Sequence, residues 1–258
     1  MPIAVTFNTD VPERYRATAE SFLHVTSTTP IQEAAWSWTS PRTVTFRGKE
    51  FWPANTDIAV DATIPTTRIL DVAHKRNVIF SGGDAITLHI GREFITRIDS
   101  NTKYAVVYKN GKKVRSMPTS LGKPGWETRS GTKVVMERYK VRRMTSQAVG
   151  DTTSTYDLQV PYAVRITNSG EFIHGAPWAI GRLGRVNGSH GCTNLNMTDA
   201  AWFFKNAWMG DPVVTKHTGR KMESYNGLGG PWNISWKAWL SGSATGSQVV
   251  TTPAFTVG

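Results

Sequence analysis

Short apolar runs alternating with polar residues, broken by turn formers, fill the first third of the chain. Ile3-Ala4-Val5-Thr6-Phe7 is the first such run. Ala35 to Thr39 and Thr43 to Phe46 flank a Ser40-Pro41-Arg42 turn, while Asp57 to Ala62 and Ala85 to Ile90 alternate with period two. Successive side chains of a strand point to opposite faces, so this alternation buries one face of each run. Many short strands separated by turns predict a β-sandwich of immunoglobulin type. No cysteine lies here, so the core must rest on aromatic residues such as Trp36, Trp38, Phe46 and Trp52. Only Glu13 to Leu23 reads as a short helix.

A second unit begins near Gly91-Arg92-Glu93. Phe94 to Ile98 and Tyr104 to Tyr108 read as strands. Asn110-Gly111 then marks a two-residue hairpin turn, with Val114 to Met117 returning. Lys133 to Met136 and Tyr162 to Ile166 continue the pattern. The polar, Ser/Thr-rich stretch from Arg138 to Val160 reads as a long loop, of the kind that serves as a lid. One helix stands out: Thr198 as N-cap, Asp199 in the first turn, a buried stripe of Ala201, Phe204 and Trp208, and an end at Gly210-Asp211-Pro212. Trp232, Trp236 and Trp239 recur at helical spacing and read as packing of a short helix on the second unit. The Ser/Thr/Gly-rich tail from Ser241 reads as flexible. The expectation is a mainly β protein: a sandwich over 1–91, a β-rich domain with one or two short helices over 92–240, and a tail over 241–258.

Composition fits this picture. Hydrophobic residues make up 39% of the 258, enough for a globular core, and 23 glycines and 13 prolines supply turns. The net charge of +11 favours anionic surroundings: nucleic acid, anionic lipid or acidic wall polymers. The basic residues are dispersed and no nucleic-acid reader motif is present, so nucleic acid is not expected as a partner. No apolar run approaches the roughly 18 residues of a membrane-spanning helix. The start lacks the basic-then-apolar layout of a signal peptide. Either the protein is cytoplasmic or this is a trimmed mature form. With a single cysteine, Cys192, no internal disulfide forms. Retaining a lone thiol in an oxidising compartment makes sense if the thiol is used.

Candidate chemistry gathers in Ile173-His174-Gly175-Ala176-Pro177-Trp178 and Ser189-His190-Gly191-Cys192-Thr193-Asn194. A thiol becomes a strong nucleophile as the thiolate, which a nearby imidazole generates or stabilises. His174 lies far enough upstream for the chain to return it beside Cys192. His190, two residues from the cysteine, can buttress the loop. Gly191 lets the backbone turn sharply, and the N–H groups of Gly191 and Cys192 can point at a developing oxyanion. The residues alone leave two other readings open: Cys192 as a small buried hydrophobe, or His174, His190 and Cys192 as zinc ligands.

The hexad Ser189 to Asn194, preceded by His174-Gly175, resembles the active-site motif of the L,D-transpeptidases, the YkuD family. There a histidine precedes an S/T-H-G-C-x-N hexad by a similar interval, and all six positions match. Arg92 to Ile95, Val106 to Tyr108, Met117 to Lys123 and Ala176 to Trp178 resemble the actinobacterial members. Lys49-Glu50-Phe51-Trp52-Pro53 resembles their bacterial immunoglobulin-like module. The resemblance implies Cys192 as nucleophile and His174 as general base, oriented by the carbonyl of Gly175, where some relatives carry serine. It implies loop-shaping roles for His190 and Ser189, an oxyanion hole from the Gly191 and Cys192 amides, and a mostly structural Asn194. Tyr156 on the lid faces substrate in this reading, and Trp178, Ser189 and Asn194 join it in the substrate site. The implied reaction is 3→3 cross-linking of peptidoglycan stem tetrapeptides, donor and acceptor. Hydrolysis of the same acyl-enzyme or an inactive wall-binding module are the alternatives. Carbapenem β-lactams are implied as covalent inhibitors. No metal or organic cofactor is needed, and a monomer outside the cytoplasm is expected, with any signal or anchor segment removed.

Overall fold

The period-two alternation of the front segment becomes strand register. The computed structural model describes residues 1–71, 74–152, 155–246 and 249–251. They form two units: Pro2–Arg92 with Ser235 onward, and Glu93–Ile234 with Met1. The front unit holds β1 (Ile3–Thr6), α1 (Glu13–Glu20), β2 (His24–Ser27), β3 (Ile31–Ser40), β4 (Thr43–Gly48), β5 (Thr56–Asp61), β6 (Ile64–Asp71), β7 (Arg76–Gly82) and β8 (Ala85–Ile90). β3 and β4 form a hairpin with Trp36 opposite Phe46, and β1 pairs antiparallel with β4. β2, β5 and β8 form a second sheet. Trp36, Val44 and Phe46 of the first sheet meet Val25, Ile58 and Val60 of the other in one core. The unit is therefore a sandwich, with Trp38 and Trp52 packed against that core. Tyr15 and Ala19 of α1 pack with Ile64 and Phe80 of the β6–β7 hairpin.

The second unit holds β9 (Phe94–Asp99), β10 (Tyr104–Lys109), β11 (Lys112–Pro118), β12 (Arg129–Val134), β13 (Glu137–Thr145), β14 (Asp157–Arg165), β15 (Phe172–Gly175), β16 (Thr193–Leu195), α2 (Met197–Asn206), β17 (Pro212–Lys216) and β18 (Arg220–Lys221). Six strands run in the order β11-β10-β9-β17-β12-β18, and four in the order β13-β14-β15-β16. Asn110 and Gly111 have φ of 49° and 73°, the left-handed pair that a type I′ hairpin turn needs. Ile98, Val107 and Val213 of the larger sheet share a core with Val164, Ile173 and Leu195 of the smaller one and Phe203 of α2.

Several expectations are corrected here. Asn196, not Thr198, caps α2, accepting from the Asp199 N–H at 2.8 Å. The buried face is Ala200, Phe203 and Ala207, one residue out of step with the expected stripe, and Trp208 is 57% exposed. Apolar residues occur in adjacent pairs along this helix, so its rotation is not fixed by pattern. The Arg115–Asp199 ion pair at 2.6 Å helps to set it. The expected long loop is mostly hairpin: β13 and β14 pair from Glu137↔Arg165 to Thr145↔Asp157, leaving only 146–156 as the tip. β13 is largely solvent-facing and carries no apolar alternation to betray it.

The tryptophan stripe also splits. Trp232 belongs to a 3-10 turn, Gly230–Asn233, in the second unit. Trp236 and Trp239 lie in α3 (Trp236–Ser241), which packs on β3 of the front unit, not on the second domain as expected. Trp239 is fully buried, its Nε1 donating to Ala35 O at 3.0 Å, with the Arg47 guanidinium 4.6 Å from its ring. Nor is the tail free from Ser241. Glu20 accepts five hydrogen bonds: from Trp38 Nε1 and from the Ser243 hydroxyl, the Ala244 and Thr245 amides and the Thr245 hydroxyl. Beyond it β19 (Val249–Thr251) pairs antiparallel with β3. Main-chain pairing and a buried carboxylate hold this segment, and composition reports neither. Residues 252–258 lie outside the described residues. No described helix is long and apolar enough to cross a membrane.

Candidate active site

β15 is buried along its whole length and pairs in parallel with β16, with Ile173 opposite Thr193 and His174 opposite Asn194. Alternation places Phe172 and His174 on one face, and Cys192 and Asn194 on the same face of the neighbouring strand. All four line one cleft of about 380 Å³. Ser189, His190, Trp178 and Tyr156 line it too. The structure thus gathers most sequence-predicted side chains in a single site.

His174 Nδ1 lies 3.0 Å from Gly175 O. A carbonyl only accepts, so Nδ1 holds the proton and the Nε2 lone pair is available. Burial lowers the His174 pKa to about 4, with the Gly175 contact pulling upward. Glycine at 175 has a packing reason: a Cβ there would stand 2.8 Å from Met197 Sδ and 3.2 Å from Pro161 Cγ. Cys192 is half-buried at the cleft, and burial pushes its thiol up to about 12, against a main-chain hydrogen bond at Phe172 that pulls it down. Its Sγ lies 3.9 Å from Gly170 O. Both shifts favour the neutral forms, a thiol at Cys192 and an imidazole at His174.

The hexad loop is braced from within. Ser189 Oγ donates to Cys192 O at 2.6 Å and accepts from Gly191 N–H at 3.0 Å. This corrects one expectation. The Gly191 amide is engaged and does not face an oxyanion, which leaves the Cys192 amide as the hexad's candidate donor. The Ser189 hydroxyl is engaged within the loop, and the residue borders the cleft. Gly191 has φ +116°, a conformation open to glycine, and its carbonyl accepts from Thr128 Oγ1 at 2.8 Å. Asn194 is tied through its main chain to Ser120 at 2.9 Å. The Trp178 ring is 48% exposed, with its centroid 6.1 Å from that of His174. His190 Nε2 meets Asp151 Oδ2 at 2.8 Å, and the Tyr156 and Trp126 rings lie 5.2 and 5.0 Å from the His190 ring. His190 is thus the post to which the hairpin tip is fastened.

Residues 93–215 match the L,D-transpeptidase catalytic domain family, YkuD, and residues 1–67 match the bacterial Ig domain family. The chain is 36% identical over 249 residues to L,D-transpeptidase 2 of Mycobacterium tuberculosis, covering 94% of this chain and 58% of that protein. It is 33% identical over 216 residues to L,D-transpeptidase 1 of the same species, covering 82% of this chain and 77% of that protein. The chain belongs to the L,D-transpeptidase family. A solved L,D-transpeptidase in complex with imipenem superposes with a TM-score of 0.68 at 28% identity, covering 84% of this chain and 91% of that one.

Around the hexad of this family member stand residues that the sequence did not single out. Asp151 is an isolated acid in a Ser/Thr-rich stretch, yet its side chain is 1% exposed and joins His190. Lys133, near the end of β12, is wholly buried with Nζ 2.7 Å from Glu171 Oε2. Arg142 and Arg182 line the cleft without a salt bridge among the described residues; Arg142 lies over the Tyr139 ring at 4.9 Å and Arg182 reaches Gly188 O at 3.4 Å. Among the described residues no group of three His, Cys, Asp or Glu side chains is placed to hold a metal, so the zinc reading finds no donor set.

Proposed function

We propose that this protein is a peptidoglycan L,D-transpeptidase that forms 3→3 cross-links through a thioester on Cys192. The observation that carries the reading is His174, its Nδ1 held at 3.0 Å from Gly175 O, on the same sheet face as Cys192 and lining the same cleft. In the first step Sγ attacks the carbonyl of the third stem residue. His174 Nε2 takes the thiol proton, and the Cys192 amide receives the oxyanion. His174 then gives that proton to the nitrogen of the terminal D-alanine, which leaves. In the second step the side-chain amine of another stem attacks the thioester and loses its proton to His174, and the returning thiolate recovers it. Tyr156 and Trp178 flank the stem, and Arg142 and Arg182 face its anionic groups. The basic surface suits an acidic wall polymer outside the cytoplasm.

Water can take the amine's place, giving an L,D-carboxypeptidase. Purified protein incubated with disaccharide-tetrapeptide separates the outcomes by mass: dimers mark transfer, and tripeptide alone marks hydrolysis. Meropenem is expected to add its mass to the parent chain and not to Cys192→Ala. Cross-linking that survives Cys192→Ala refutes the nucleophile assignment.

A further inference from the structure

Beside the catalytic loop lies a charge cluster that no step of the proposed reaction uses. Lys133 Nζ stands 2.7 Å from Glu171 Oε2, with both side chains buried. The other Glu171 oxygen accepts from the Arg129 amide at 2.9 Å and from Arg129 Nη1 at 3.0 Å. Arg129 also meets Glu223 at 2.6 Å. Arg220 approaches the same Glu223 at 3.8 Å, so Lys133 and Arg129 serve Glu171 while Arg129 and Arg220 serve Glu223. Burying an ammonium group costs several kcal/mol even when it is paired, and an apolar side chain would fill the same space more cheaply.

The position of Glu171 suggests the reason. It stands between Gly170, whose carbonyl lies 3.9 Å from Cys192 Sγ, and Phe172, whose main chain hydrogen-bonds to that sulfur. A Cβ on Gly191 would come within 3.7 Å of Glu171 Cγ. Anchoring the Glu171 carboxylate on Arg129 therefore fixes the backbone that brackets the sulfur. The same anchor sets a negative charge beside an atom that must itself become negative. Glu171 and Lys133 act on Cys192 with opposite signs.

We propose that Lys133 is a positioning residue for acyl transfer: by neutralising Glu171, it lets a carboxylate anchor the loop without opposing the thiolate. The proposal rests on the reading of Cys192 as nucleophile. Other charged or titratable groups face the sulfur from neighbouring elements. They are His174 on β15, Tyr156 and the Asp151–His190 pair at the hairpin tip and hexad loop, and the arginines lining the cleft. Of these, Arg143 is paired with Asp157 and Arg165 with Glu137. None of them is altered in the test below.

The test reads alkylation of the single cysteine by iodoacetamide across pH, using intact mass, so that it does not depend on whether the acyl-enzyme goes to amine or water. Lys133→Met removes the cation on Glu171 Oε2 and leaves Arg129 as the one on Oε1. It is expected to move the pH–rate profile up by about one unit and to slow alkylation at fixed pH about three- to tenfold, the lower figure allowing for the greater nucleophilicity of a more basic thiolate. Lys133→Met/Glu171→Gln removes both charges and is expected to recover most of that loss. A purely packing role predicts the opposite, with the double variant at least as impaired as the single. A folded Lys133→Met with an unchanged profile, or a double variant no faster than the single, overturns the proposal. Should Lys133→Met fail to fold, Glu171→Gln replaces it: alkylation equal to or faster than the parent supports the proposal, and slower alkylation overturns it. Failure of the nucleophile reading is seen separately, as a parent protein that meropenem does not acylate.

Discussion

Asp151→Asn tests whether the contact between Asp151 and His190 helps to hold the hairpin tip as a lid. The substitution keeps the side chain's shape and removes its charge, so steric disruption is not at issue. Asp151 Oδ2 lies 2.8 Å from His190 Nε2 and the Asp151 side chain is 1% exposed. A hydrogen bond to a charged group contributes about 1.5–3 kcal/mol net. With about 1.4 kcal/mol per tenfold, the closed tip loses about ten- to a hundredfold in population relative to open forms. The tip's own bonds, Asp151 N to Ser146 O at 3.0 Å and Ser146 N to Tyr156 O at 3.1 Å, remain in place. The tip should therefore move as a unit. Hydrogen–deuterium exchange read by mass should accelerate across 146–156 by about tenfold or more, with β9 and β10 unchanged. A looser tip admits water, so tripeptide should rise relative to dimer in the tetrapeptide assay. His190→Asn should give the same pattern, and the two changes together should add little, because both break one contact. Unchanged exchange across 146–156 in folded Asp151→Asn protein would falsify the fastening.

Acid should weaken the fold through His174. Its folded pKa of about 4 lies below the ordinary 6.5, so between these values the unfolded chain binds a proton that the native site refuses. The contribution is full above pH 6.5 and is lost as pH falls towards 4, about 3 kcal/mol in all. Urea unfolding at pH 7 and 4 should show that much less pH dependence in His174→Gln than in the parent, and equal slopes would contradict the burial argument. Glu20→Ala should strand five donors, destabilising the front unit by about 3 kcal/mol or more and opening 241–251 to protease. Limited proteolysis followed by mass analysis checks this, and an equally resistant tail counts against the anchor.

Where structure follows from local rules, the sequence was readable. The Trp36–Phe46 hairpin announces itself by alternation, and the β10–β11 turn by Asn110-Gly111. His174 and Cys192 were legible because the hexad and the upstream histidine carry a specific pattern. What escaped depends on partners distant in the chain. β13 pairs through its main chain while its side chains face water, so no apolar period marks it. Lys133 reads as one more polar residue at the edge of the Val134-Val135-Met136 run, because the carboxylate that permits its burial is at position 171. Asp151 gives no sign that His190 will accept it as a partner. The engagement of the Gly191 amide by Ser189 is a matter of loop geometry, to which the letters Ser-His-Gly-Cys are indifferent. α3 offered tryptophans at the right spacing, but spacing identifies a face without naming the surface it will cover.

The front sandwich is assembled from segments on both sides of 93–234, with β19 joining the sheet of β3 and Trp239 seated against Ala35. During synthesis every residue of 93–234 emerges before the segment that finishes the sandwich, so the second unit can mature while the first waits for 235–251. Cutting the gene after codon 92 would therefore not yield a clean catalytic fragment, because the orphaned α3 would present two tryptophans with nowhere to go. An excision of the second unit has to remove the segments before 93 and after 234 together.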